Sequence, residues 1–230
     1  MDSEQTRSDK KKLVAFTLPM ALFLALLGLA GMLRKPGAGF WLASPEYWIY
    51  PAQTLLCGAV LVWFWRDYEL GAPRKVWFAL GIGFVVFAVW IAPQQFLGFA
   101  PRLTGFDPEV FGGHSSGYWI TIVFRFLRLV VVVPLVEEIF WRGFLLRYLI
   151  NERFTVVAIG TFSRLSFVIV TLGFGFAHSR ADWLAAVICG GLYNLVAYRT
   201  RSLASCVVAH AVTNCLLGLW VMQTRQWGFW

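Results

Sequence analysis

Charge is scarce in this chain. Only 14% of its 230 residues are Asp, Glu, Lys or Arg, where a soluble domain carries about a quarter. An ordinary water-facing surface is therefore excluded over most of its length. Acidic residues are the scarcer sign, twelve against twenty Lys and Arg. The net charge of +8 nevertheless does not read as nucleic-acid binding, because no basic patch is interleaved with polar sequence. The four cysteines (Cys57, Cys189, Cys206 and Cys215) lie inside apolar runs without CxxC spacing. They read as small buried hydrophobes rather than a disulfide framework or thiolate metal cluster. There is no HExxH string, internal repeat or low-complexity tract, and histidine occurs only three times.

What is present is hydrophobic and aromatic. Apolar residues make up 59% of the chain and the mean hydropathy is +0.66. Twelve Trp and seven Tyr suit the two membrane interfaces, where an amphipathic ring is stable at headgroup depth. The composition predicts an all-α fold, a polytopic membrane helix bundle of about seven to eight helices. Residues 1–230 form one integral membrane domain, with lipid as its first partner.

The basic N-terminus (Arg7, Lys10, Lys11, Lys12) precedes an apolar run from Leu13 to Leu33. That run exceeds the core of a signal peptide and reads as a retained first span. Further spans are expected near Trp48–Trp65, Val76–Ala92, Phe154–Ala177, Trp183–Val196 and Leu203–Met222. Between them, Tyr118–Ile150 is too long for one perpendicular span, and Arg125 and Arg128 interrupt it. It reads as a surface or tilted helix up to Leu129, then a buried helix from Val130, kinked at Pro134. With seven spans and the N-terminus inside, eleven Lys and Arg fall on the inner side and five on the outer. That asymmetry predicts a cytoplasmic N-terminus. The same arrangement puts His178 towards the outer end of its helix and Glu137 in the middle of its own.

Three strings carry the chemistry: Glu137-Glu138-Ile-Phe-Trp-Arg142, Phe174-Gly-Phe-Ala-His178 and His210-Ala-Val-Thr-Asn214. Each has i, i+4 ends, which share a helical face. Ionisable groups inside membrane segments are costly and usually functional. Glu138 and Arg142 have the orientation of a favourable helical ion pair, and burial leaves neither charge stable alone. Glu137 points about 100° away and is free to act as a general base on water. Against that stands a structural reading in which both glutamates pair with Arg142, Arg128 or Arg147. Alone, His178 reads as a helix-end histidine, Phe174 as packing and His114 as surface. His210 and Asn214 are either interhelical glue or two donors aimed at an oxyanion.

The order EExxxR, FxxxH, HxxxN on successive membrane helices resembles the CPBP family, the CAAX-protease and bacteriocin-processing intramembrane proteases also called Abi proteins. The resemblance covers Val130 to Leu217 and includes the Arg142-Gly143 step. It implies a family-like catalytic core over residues 130–217 and an endopeptidase acting on a membrane-anchored peptide or protein. Glu137 and His178 would activate a water, Arg142 would support Glu138, and Phe174 would line the site. His210 and Asn214 would form the oxyanion hole, and the cavity would open to the cytoplasm or to lipid. Length and aromatic richness suit the exosortase-associated relatives, and with them a prokaryotic inner membrane; bacteriocin maturation or self-immunity is the other branch.

No cofactor is expected. Glu137, His178 and His210 are formally a zinc ligand set with water in fourth place. The lack of HExxH and the origin of the three ligands on separate helices disfavour that metalloprotease. The alternative of another class is a non-catalytic membrane scaffold or immunity protein. A protease requires Glu137, His178, His210 and Asn214 around a polar, water-sized cavity. A scaffold requires Glu137 in a salt bridge, both histidines on backbone carbonyls, and no cavity. A channel or transporter would line a path along the bundle with polar residues, whereas here they cluster.

Overall fold

A computed structural model describes residues 2–230, with side chains from residue 7 onward except Ser8. The described residues are all helical, with no strand. The helices are α1 (Asp2–Leu33), α2 (Phe40–Ala43), α3 (Glu46–Trp63) and α4 (Val76–Phe96). They continue as α5 (Ser116–Tyr148), α6 (Arg164–Phe176), α7 (Trp183–Thr200) and α8 (Leu203–Thr224).

Five helices are long and apolar enough to cross a membrane: α1, α4, α5, α7 and α8. Two of the seven expected spans do not reach that measure. In α3 the polar Gln53 and Thr54 are buried in the bundle. α6 has thirteen residues, about 20 Å of helix against a hydrocarbon core of about 30 Å. Residues 154–163, expected in the same span, form a short turn and connecting loop. The large side chains facing outward are those that lipid would solvate, among them Trp63, Trp77, Leu184 and Val62.

α5 differs from the expected pair of helices. It runs unbroken for 33 residues, and Arg125 and Arg128 are buried in the bundle rather than at a surface. Its backbone widens into π-turns at Leu127–Val132 and Ile139–Leu145, flanking a regular turn at Val133–Glu138. The first π-turn absorbs Pro134. The Val133 N–H donates to the Arg128 carbonyl five residues back. In that register the N–H which proline lacks is the one that Leu129's carbonyl would have accepted. The helix therefore continues with one carbonyl released.

α5 passes through the middle of the bundle, touching α1, α3 and α8, while α4 lies along α8 and α6 along α7. Small residues bring these backbones close, as helix pairs in membranes require. A Cβ on Gly175 of α6 would stand 2.3 Å from Val187 Cγ2 and 3.2 Å from its Cα. Gly175→Ala is expected to force α6 from α7 at a cost of about 1–3 kcal/mol. A lowered thermal midpoint of the purified protein checks this.

Ion pairs mark the two ends. Lys11–Asp67, Lys12–Glu69 and Arg147–Glu69 gather at one end. Arg34–Glu46 and Arg102–Asp182 lie at the other, where Arg102 also holds the C-terminal segment through Gln226 and Gly228.

Candidate active site

The centre of the bundle contains a fully buried guanidinium. Arg142 lies in the second π-turn of α5 with no exposure to solvent, and all three of its nitrogens are used. Nη1 donates to Glu138 Oε1 at 3.0 Å, Nε to Asn194 Oδ1 at 3.0 Å and Nη2 to the Gly190 carbonyl at 2.9 Å. The ring of Phe174 lies 4.8 Å from its carbon and that of Tyr193 at 5.4 Å. Asn194 is itself held, donating to Thr171 Oγ1 at 3.0 Å. The expected Glu138–Arg142 pair is therefore present, but as part of a network joining α5, α6 and α7. Loss of Asn194 as Leu is expected to orphan the Arg142 Nε–H and to cost about 1.5–3 kcal/mol, read from detergent or SDS unfolding.

Glu138 ties this network to α8. Its Oε1 lies 2.9 Å from His210 Nδ1, and neither residue is exposed beyond 5%. The carboxylate accepts, so Nδ1 carries the proton and Nε2 is the ring's remaining polar atom. The His210 ring stacks on Tyr193 at 4.9 Å. Tyr193 in turn donates to Thr213 Oγ1, and that hydroxyl bonds the carbonyl of Gly83 on α4.

Glu137 is placed differently from its neighbour. Among the described residues it makes no ion pair within 4 Å, and its Oε2 is buried without a hydrogen-bond partner. It faces a cavity of ≈ 190 Å³ lined also by His178, His210, Asn214, Tyr193, Trp90 and Arg128. That is room for a few waters. The cavity begins at mid-bundle and reaches towards the end carrying Arg102, with Phe229 of the C-terminal segment in its wall.

His178 sits just past the end of α6, which is short enough to bring it inward to Glu137's cavity. Its Nδ1 bonds the Phe174 carbonyl at 2.8 Å. A carbonyl only accepts, so Nδ1 is again the protonated nitrogen and Nε2 the free one. The ring is held between Trp90 and Phe174. Phe174 is 2% exposed and contacts Trp141, His178, Tyr193, His210 and Arg142. It is the packing centre of the site.

Asn214 donates through Nδ2 to the Leu129 carbonyl at 2.8 Å, the group that Pro134 leaves without a helical partner. Proline and asparagine thus form one device across α5 and α8. Pro134→Ala is expected to restore an N–H that competes for Leu129 and to release Asn214, visible as faster exchange of that side-chain amide by NMR.

All of the expected site residues come together: Glu137, His178, His210, Asn214 and Phe174 border one cavity, and Glu138 and Arg142 lie behind it. Asn194, Tyr193, Thr213 and Gln53 are additional polar members. A polar residue recurring inside a predicted apolar run was the signal available for each. Among the described residues no three His, Cys, Asp or Glu side chains converge as a metal's ligand set, and His210 Nδ1 is engaged by Glu138.

Comparison with known families supplies one match: residues 119–216 match the family model described as type II CAAX prenyl endopeptidase Rce1-like. No curated protein and no solved structure matches the chain. The matched stretch contains all three strings and runs from α5 into α8, the helices that supply both the buried ion pair and the polar wall of the cavity. The match spans residues 119–216, less than half of the chain, and over that stretch the chain is similar to the CAAX-protease family that its three strings resemble.

Proposed function

We propose that this chain is an intramembrane endopeptidase in which Glu137 and His178 activate a water for attack on a peptide carbonyl. At family level the match supports a CAAX-type membrane protease. The observation that carries the finer reading is the unpaired Glu137 carboxyl facing a cavity shared with His178, His210 and Asn214. Glu137 takes a proton from water, and the resulting hydroxide adds to the carbonyl carbon. The C–N bond then breaks, and the proton passes to the departing amine. His178, with Nδ1 tied to a carbonyl, offers Nε2 as an acceptor that orients the water. His210 and the remaining Asn214 N–H stabilise the oxyanion. His210 gives its Nδ1 proton to Glu138, so a donation to the oxyanion comes from Nε2 and requires a second proton on the ring.

The substrate is a peptide or protein anchored at the membrane, and the cavity's polar atoms among apolar walls suit a peptide bond near a lipid anchor. The count of basic residues inside and outside supports a cytoplasmic N-terminus. In that orientation the cavity reaches towards the non-cytoplasmic end, where Arg102 and Phe229 lie, and not towards the cytoplasm, which the resemblance implied as one of two openings. The scaffold reading has one observation in its favour, the backbone bond of His178, and lacks the salt bridge on Glu137.

The test is cleavage of a membrane-anchored peptide library by purified wild type and Glu137→Ala, each with and without chelator. Cleavage lost in the mutant and kept under chelator is the expected result. Loss under chelator as well would return zinc to the site, and no cleavage by wild type would favour the scaffold.

A further inference from the structure

Two arginines of α5 have no part in the chemistry above. Arg125 is 4% exposed and Arg128 7%, three residues apart in a membrane-spanning helix. Among the described residues neither has a carboxylate within 4 Å. Arg125 is surrounded by aromatic faces, with Phe106 at 4.9 Å, Tyr50 at 5.3 Å and Trp230 at 5.7 Å. Its Nε and Nη1 are buried without a partner. Arg128 is oriented by Gln53, which accepts from Nε at 2.8 Å, and by the faces of Tyr50 at 4.3 Å and Phe23 at 5.0 Å. Gln53 is held in turn, since its Nε2 donates to the Phe23 carbonyl at 2.6 Å. Among the described residues the two Nη groups of Arg128 make no hydrogen bond, and Arg128 borders the same cavity as Glu137.

A buried charge without a counter-charge is strongly unfavourable, and ionisable groups at membrane depth are retained where they act. The cation–π contacts offset part of that cost but leave Arg125 Nε and Nη1 without a hydrogen-bond partner. Formal charges sharpen the point. Glu138 and Arg142 cancel, and Glu137 balances one of the two remaining arginines. At least one positive charge is left, and an anion in the cavity offsets it. A planar guanidinium edge held rigid from its Nε side suits an oxyanion that accepts two parallel hydrogen bonds.

We propose that Arg128, backed by Arg125, is a binding subsite for a carboxylate of the peptide substrate, which anchors the chain so that its scissile bond lies against Glu137. The assignment rests on the protease reading for the identity of the ligand, not for its charge. A lipid phosphodiester offers the same monoanionic chemistry. The substrate carboxylate is favoured because Arg128 and the general base share one cavity.

The experiment measures binding in a protein that does not hydrolyse, so a failed protease reading leaves it interpretable. Full-length Glu137→Gln protein in phosphatidylcholine nanodiscs is titrated calorimetrically with an acetylated Leu-Val-Phe tripeptide as free acid and as amide. The acid is expected to bind roughly tenfold to a hundredfold tighter, the range of a charge-assisted hydrogen bond. The advantage disappears in a second variant carrying Arg128→Gln and is partly kept with Arg128→Lys. Circular dichroism reports whether each variant folds, and the acid–amide comparison needs no change at the arginines. Equal affinity for acid and amide overturns the proposal, as does an acid preference that survives Arg128→Gln. Repetition in phosphatidylglycerol discs separates the sources: abolition of the preference there assigns the pair to lipid phosphate and overturns the substrate assignment.

Discussion

Glu137→Gln is expected to lower peptidase activity by roughly 10² to 10⁴-fold, the usual contribution of a positioned general base, with no loss of stability. The substitution is isosteric and removes a charge from a carboxyl whose Oε2 has no hydrogen-bond partner. Glu137 forms no direct ion pair among the described residues, so no cation loses a hydrogen-bonded partner, and only its longer-range interaction with Arg128 is given up. The thermal midpoint should stay within the range of a neutral substitution, about 0.5 kcal/mol, or rise. A variant both inactive and markedly unstable would mean that Glu137 holds the bundle together, as the scaffold reading requires. Turnover and unfolding must therefore be measured on the same preparation.

The neighbouring carboxylate should behave in the opposite way. Arg142→Met is expected to cost about 3–5 kcal/mol, because removal of one partner leaves a buried, uncompensated charge on Glu138. The Asn194 Oδ1 and Gly190 carbonyl lose their donor at the same time. Against a total stability of about 5–15 kcal/mol, that is enough to prevent accumulation of the folded protein at growth temperature. The double variant Glu138→Leu with Arg142→Met should be more stable than Arg142→Met alone, since both charges are gone. It should still fall short of wild type because His210 Nδ1 loses its acceptor. A double-mutant cycle by SDS unfolding measures the coupling; additive single effects would show that the pair does not act as a unit. Activity should be lost in every member of the cycle, through displacement of His210 rather than through contact with substrate.

Comparison of the two glutamates shows what could be read locally. The separation of Glu137 from Glu138 follows from helix geometry, and so does the Glu138–Arg142 pair at i, i+4. Arg128 shows the opposite case. By sequence it reads as an interruption that brings the helix to the surface, because a charge in an apolar run gives no sign of whether it faces water, lipid or an internal cavity. The cavity exists only once residues of α1, α4, α6, α7 and α8 close around α5. Asn194 is a similar case, since its partner Arg142 lies 52 residues away in the chain.

Composition and periodicity alone determined that this is an all-helical membrane bundle, because the count of apolar residues and the spacing of polar ones are properties of the chain itself. Resemblance added which polar residues belong together. The tertiary structure decided the rest. α5 stays continuous because π-turns absorb Pro134, and α6 is short enough to bring His178 to Glu137. The carbonyl that proline releases is taken by Asn214. Each of these depends on pairing groups far apart in sequence, where the cost of an unsatisfied polar group in a low-dielectric interior selects the partner.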